Sequence, residues 1–359
     1  MHLRSLAAAF AAAVMTAAAS CTHEQPAVSV IFDTDMGNDV DDVVAFDVLS
    51  KYIDRGEMKL LAVGLSKDSP QAAEFMDILL TWYGLGDVPV GIIKDGPRCR
   101  QDDFCLGVCR MCDGSGNPVY ARSFRAGGSV PTAVDLYRKT LASQPDHSVT
   151  IISVGFFTNL ARLLESGPDG LSPLSGEELI RKKVARLVVM AGLFVPEDKP
   201  EYNVRMDIAS AQKVYDSWPT EIVTAPGEVG SRVNYPASSI ENDFAWAPDH
   251  PLVASYRLFK PMPYDRHMWD VMTVFFAAEG FDTHLFDAHP AGRVHVDAKG
   301  FTTLEEMPGG NCTVLRLRGE DDGQVDILRE KMIDMVTSRP ACRRISSLRR
   351  AADRDKAPY

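Results

Sequence analysis

Short, nearly all-apolar runs alternate along this chain with longer segments in which apolar residues recur every three or four positions. The runs at 28–32, 60–65, 88–93, 148–154, 184–190 and 221–224 predict strands. Several lack polar alternation, as strands covered on both faces do. Helical spacing predicts helices over 42–52, 71–83, 132–142, 159–164 and 208–217, then 251–258, 268–278 and 326–337. Residues 294–296 and 313–317 read as late strands. Strand and helix in alternation predict an α/β fold: one large domain with a mostly parallel central sheet and helices on both faces. Two stretches break the rhythm, 94–130 (rich in Gly, Asp, Arg and Cys) and 195–205 directly after a strand. Irregular stretches of that length inside a domain usually serve function. No linker or internal repeat divides the chain, so the domain is placed at 27–345, with a charged tail at 346–359.

The first residues follow a different logic. Residues 1–5 carry Arg4, residues 6–19 form an alanine-rich apolar run, and Ala18, Ala19 and Ser20 lead into Cys21. The run is short for a bilayer span and suits a signal peptide over 1–20. The residues before Cys21 resemble a bacterial lipobox, with Ala18 where leucine is usual. The expectation is an exported lipoprotein held to a membrane through a lipid on Cys21, with 21–26 as a short tether. Ordinary secretion, periplasmic or beyond, is the alternative. The 45 % hydrophobic content fills a sizeable core. The net charge of −11, without a basic block, argues against nucleic acid as a partner. Cys99, Cys105, Cys109, Cys112, Cys312 and Cys342 make an even set. In an exported chain they read as disulfides or free thiols. Zinc at the Cys109-x-x-Cys112 run is the sharper alternative, with no histidine nearby to support it.

Candidate chemistry is densest after the first strand, where Asp33, Asp35, Asp39, Asp41 and Asp42 fall within ten residues. Two unit charges about 4 Å apart repel by roughly 4 kcal/mol at an effective dielectric near 20. Such carboxylates must protonate, disperse into solvent or share a cation. With no histidine or cysteine among them they suit a hard cation, Ca²⁺ or Mg²⁺. Helix capping by Asp41 and Asp42 explains one or two of them, but not five at the end of a buried strand. Gly37 permits a tight turn.

The run Asp33-x-Asp35-x-Gly37, ending in Asp41-Asp42-x-x-Ala45, resembles the signature of the inosine–uridine-preferring nucleoside N-ribohydrolases. Residues Asn38-Asp39-Val40 stand where that signature has one residue. Three further segments match in family order: Ser153 through Leu160, Glu201-Tyr202-Asn203, and Trp269-Asp270. The resemblance implies a Rossmann-like single domain that binds Ca²⁺ and cleaves the N-glycosidic bond of ribonucleosides. It implies that Asp35, Asp42, the Val154 carbonyl and Asp270 hold the metal, and that Asp35 also serves as the general base. Asp41 and Asn203 would bind ribose hydroxyls, Glu201 the 5′ end, and Trp269 the base. Members are commonly dimers or tetramers, which implies a homo-oligomer.

Departures from the family pattern gather on the leaving-group side. Trp269 stands where many members have a histidine; an indole stacks on a base but cannot protonate it. It reads equally as core packing. His267, two residues earlier, reads as a surface histidine. Lys67-Asp68 occupies the place of an asparagine, and Asp68 either binds ribose or caps the helix after Pro70. The stretch 94–130, with Arg98, Arg100 and Arg110, is either a lid over the site or a solvated insertion. Two other functions compete: a nucleoside-binding lipoprotein without turnover, and a HAD-type phosphatase suggested by Asp33-x-Asp35.

Overall fold

The computed structural model describes residues 27–98, 103–122, 130–283, 285–319 and 322–340. Each early apolar run becomes a strand: β1 (Val28–Thr34), β2 (Met58–Leu65), β3 (Val90–Ile92), β4 (Val149–Ser153), β5 (Val184–Met190) and β6 (Glu221–Ala225). Two dipeptides, β7 (Asn234–Tyr235) and β8 (Arg266–His267), pair with each other in a separate antiparallel ladder. The later strands are β9 (Phe286–Ala288), β10 (Gly292–Val296), β11 (Thr302–Glu306) and β12 (Cys312–Leu317).

The main sheet runs β11-β10-β12-β6-β5-β4-β1-β2-β3, with β9 on β12. From β12 to β3 all neighbours are parallel, and β9, β10 and β11 are antiparallel additions. Side-chain alternation divides the interior into two cores. Val30 and Phe32 enter one, with the helices Asp41–Asp54, Pro70–Trp82 and Trp269–Glu279. Ile31 enters the other, with Ala133–Ala142, Thr158–Glu165 and Ile208–Ser217. This is the predicted single α/β domain with helices on both faces.

The order 3-2-1-4-5-6 reverses direction between β1 and β4. In an open parallel sheet that switch point, at the carboxyl ends of the strands, leaves a crevice for ligands. The crevice lies where the aspartate run leaves β1 and Val154 leaves β4.

Several elements escaped the periodicity. The stretch 94–130 contains the helix Asp103–Cys109, and 195–205 ends in the short helix Tyr202–Met206. The helix Gly176–Lys183 starts at a Ser175–Glu178 capping box, a legible signal that the apolar spacing alone did not carry. β11, Thr302–Glu306, is a polar edge strand. Among the described residues no helix is long and apolar enough to cross a membrane. The signal segment 1–20, Cys21, the tether, Cys99, Arg100, Cys342 and the tail 346–359 lie outside the described residues. Cys109, Cys112 and Cys312 are free thiols. Among the described residues, no cysteine belongs to a cluster that could hold a metal.

Candidate active site

A cavity of about 1010 Å³ opens at the switch point. Every residue carried over from the family signature reaches its wall: Asp35, Asp41, Asp42, Val154, Glu201, Asn203, Trp269 and Asp270. The local backbone explains how. Gly37 adopts φ +105°, a conformation open to glycine, and turns the chain between Asp35 and the helix. That helix begins after Val40 without a side-chain cap. Asp41 and Asp42 therefore do not cap it; both are buried in its first turn. Asp270 occupies the first turn of the helix Trp269–Glu279, which packs against Asp41–Asp54. Gly155 lets the loop after β4 close on the loop after β1. A Cβ there would stand 2.4 Å from the Asp35 nitrogen.

Asp41, Asp42 and Asp270 offer carboxylate oxygens that all lie within 4.8 Å of one another, and all three side chains are buried. The Asp270 amide donates to Asp41 Oδ2 at 3.4 Å, and Thr34 Oγ1 donates to Asp42 Oδ1. Asp35 stands outside that trio but lines the same cavity, and Asn38 Nδ2 donates to its Oδ2. Burial pushes the carboxyls of Asp35 and Asp41 up to about 7. Burial, and then repulsion from acidic neighbours, also raises the carboxyls of Asp42 and Asp270 well above the usual carboxylate range. Upward shifts are the response expected of carboxylates crowded in a low-dielectric site. The donor set is all oxygen, so it fits a hard divalent cation and not a thiophilic one.

The five-aspartate run does not act as one cluster. Asp33, fully buried, accepts bonds from Tyr137, Asn159 and Ser153 and does not line the cavity. Burial lifts its carboxyl to about 6, against the pull of those donors. Gly64 on β2 leaves the space for this contact, since a Cβ there would meet the Tyr137 hydroxyl at 1.6 Å. Asp39, on the inserted segment, takes a forked ion pair from Arg266. One aspartate thus anchors β1 from behind, one binds an arginine, two join Asp270 in the trio, and Asp35 lines the cavity beside them.

The ribose-side residues are held in place. Glu201 caps the helix Tyr202–Met206, accepting from Asn203 N at 2.7 Å, Val204 N at 3.0 Å and Gly192 N at 3.1 Å. Asn203 Nδ2 donates to the Val154 carbonyl at 3.1 Å and to the Met190 carbonyl at 3.2 Å. Trp269 does both things its sequence context allowed. It lines the cavity, and it packs against the protein with Nε1 donating to Ser231 Oγ at 3.0 Å.

His267 does not line the cavity; it lies on β8, half-buried, with its ring against Trp269. Asp68 neither lines the cavity nor caps the next helix. Ser69 caps that helix, and Asp68 accepts from Arg98 Nε at 2.8 Å. The stretch 94–130 does reach the cavity, through Arg98.

Three residues at or beside the site had no role assigned from sequence. Lys67 is buried, and its charge favours ionised Asp35 and Asp42. Asn38 lines the cavity with a buried Oδ1 that has no partner among the described residues. Arg266 joins β8 to a loop 227 residues away, a contact that no spacing signals.

Residues 30–330 match the family model described as inosine-uridine preferring nucleoside hydrolase. The chain belongs to the inosine-uridine preferring nucleoside hydrolase family. A pyrimidine-specific ribonucleoside hydrolase RihA from Citrobacter koseri is 30% identical over 200 residues, covering 53% of this chain and 57% of that protein. The RihA of Salmonella dublin is 31% identical over 229 residues, covering 60% and 65%. The chain thus spans less than two thirds of the length of these curated relatives. Among solved structures, a plant nucleoside hydrolase superposes with TM-score 0.61 at 20% identity, covering 88% of this chain and all of the other. A purine-preferring ribonucleoside hydrolase from Gardnerella vaginalis gives 0.63 at 15%, covering 86% and 99%. At those identities the likeness is one of fold.

Proposed function

We propose that this family member hydrolyses the N-glycosidic bond of ribonucleosides or related N-ribosides and depends on Ca²⁺. The observation that carries the reading is the meeting of Asp35, Asp41, Asp42, Asp270, Val154 and Asn203 in one cavity at the switch point. A hard cation would offset the charge repulsion that protonation otherwise relieves. Asp35, Asp42, Asp270 and the Val154 carbonyl are the groups that would hold the cation. When bound, Ca²⁺ lowers the pKa of a nearby water and orients sugar hydroxyls.

The chain's own residues do the rest. Asp35 takes the proton of the attacking water. Asp41 and Asn203 bind ribose hydroxyls, with Glu201 toward the 5′ end, so water and anomeric carbon meet already oriented. Carboxylates beneath the ring stabilise the positive charge that develops as the bond to the base lengthens. The phosphatase reading, by contrast, needs both Asp33 and Asp35 in the site, and Asp33 is turned away into the Tyr137 network. The leader and Cys21 support a place outside the cytoplasm, on a membrane surface.

The test is incubation of the mature protein with a nucleoside panel and p-nitrophenyl riboside, with and without EDTA, measuring free sugar and base. Release that EDTA abolishes and Ca²⁺ restores is the expected result. Binding of nucleosides with no turnover of either substrate class would leave a binding lipoprotein instead.

A further inference from the structure

Departure of a base from ribose needs help on the base side as well as beneath the sugar. The bonding pair of the broken C1′–N bond ends on the base, and that charge must be met. His267 lies outside the cavity, and the Trp269 indole is no acid, its N–H already donated to Ser231. The cations that line the cavity among the described residues are Arg98, Lys199, Lys260 and Arg266. The first three are surface side chains, with Arg98 75% exposed. Arg266 is different, with its side chain 19% exposed.

Arg266 is built into the wall. Its Nε donates to Asp39 Oδ1 at 2.8 Å, and Nη2 donates to Asp39 Oδ2. Its guanidinium carbon lies 4.9 Å from the centroid of the Trp269 ring and 5.7 Å from that of Phe259. Asp39, Phe259 and Trp269 line the cavity too. The carboxylate fork and the indole face fix the plane of the guanidinium, while Nη1 takes no described residue as acceptor. Arginine keeps its charge throughout the working pH range, so this is a donor and cation but not a proton source. Trp269 immediately precedes Asp270 of the acidic trio, which puts the fixed cation beside the cation-binding end of the cavity.

We propose that Arg266, held by Asp39 and stacked on Trp269, is the leaving-group residue: it donates hydrogen bonds to a carbonyl oxygen or ring nitrogen of the departing base. The step balances without a protein acid. Water oxygen bonds to C1′ and gives its proton to Asp35. The C1′–N pair passes to the base, whose negative charge rests on the Arg266 N–H groups until solvent supplies a proton. The inserted segment Asn38-Asp39-Val40 then has a purpose, since it brings the carboxylate that holds the arginine in place.

This assignment rests on the hydrolase reading, and one experiment separates their failures. The Ca²⁺-loaded wild type, Arg266→Met, Arg266→Lys and Asp39→Asn are assayed on uridine, inosine and p-nitrophenyl riboside. Nitrophenolate is a good leaving group and needs little stabilisation. A preorganised charge-stabilising donor is worth about 10²–10³ in rate. Arg266→Met is therefore expected to lose roughly that factor in kcat/KM on the nucleosides and under about tenfold on the nitrophenyl substrate. Arg266→Lys and Asp39→Asn should fall between. Inhibition by free base should weaken in Arg266→Met while inhibition by ribose stays unchanged, a split that a purely structural role would not give. Equal losses on both substrate classes, with inhibition by base and ribose weakened alike, would overturn the role of Arg266 alone. A wild type inactive on every substrate would overturn the hydrolase reading and this one with it.

Discussion

Four buried carboxyls, those of Asp35, Asp41, Asp42 and Asp270, face the same small volume, so protons and a cation compete to neutralise them. The sign of the pH effect follows. Asp35 and Asp41 titrate near 7 in the folded chain, against an ordinary 3.8. The folded form keeps protons that the unfolded chain releases from about pH 4 upward. That contribution to stability is full below pH 4 and lost as pH rises through 7. Thermal melts of EDTA-treated protein should show Tm falling from pH 5 to pH 8, and millimolar Ca²⁺ should restore Tm at pH 8. A Tm that rises over this range without metal would contradict the burial of these groups. Asp42→Ala removes a proposed ligand, and calorimetry should find Ca²⁺ binding abolished. Lys67 sets a positive charge against the same site. Replacing it by Met should tighten Ca²⁺ binding roughly three- to tenfold, the scale of one partly screened unit charge. The same titration on Lys67→Met protein checks this. At this scale the motif residues were legible because chemistry and spacing fall within short segments. Lys67 was visible only as a departure from a pattern, and Arg266 meets Asp39 across 227 residues.

Loops at the ends of β1 and β4 make the site, and their closeness depends on one glycine. In Gly155→Ala the new methyl would meet Ser66 Oγ at 2.3 Å and two backbone atoms, Asp35 N at 2.4 Å and Thr34 C at 2.8 Å, which cannot rotate away. We expect a loss of about 1–3 kcal/mol, the usual cost of overpacking, together with weaker Ca²⁺ binding as Asp35 is displaced. Urea titration of the variant checks it, with Gly167→Ala as the neutral control, because a Cβ at Gly167 meets nothing within 4 Å. The parallel strands were legible as elements because burial on both faces demands continuous apolar runs. β11 was not, since Thr303, Glu305 and Glu306 lie along a solvated edge where polar side chains cost little, while buried Thr302 bonds the Leu193 backbone. β7 and β8 are two residues each, too short to carry any period.

For the whole molecule, the domain and its address are separate matters. The sheet order that creates the crevice rests on long-range pairing, such as β12 on β6, and no local pattern announces it. The proposed address rests on the leader-like residues 1–20 and Cys21. If Cys21 carries a lipid, Cys21→Ala should shift the protein from the membrane to the soluble fraction of its own cells, as immunoblotting of the fractions would show. The same distribution for both forms would leave simple secretion.

The contact behind β1 has a consequence for descent. Gly64, Tyr137 and Asp33 come from three elements, and each is tolerable only because of the other two: the hydroxyl fills the space a Cβ would take, and the carboxylate accepts its hydrogen bond. A lineage cannot exchange one of them without disturbing the rest. Among sequences that share this fold, any residue larger than glycine at position 64 should therefore arrive with a shorter side chain at 137, and then with an uncharged partner at 33.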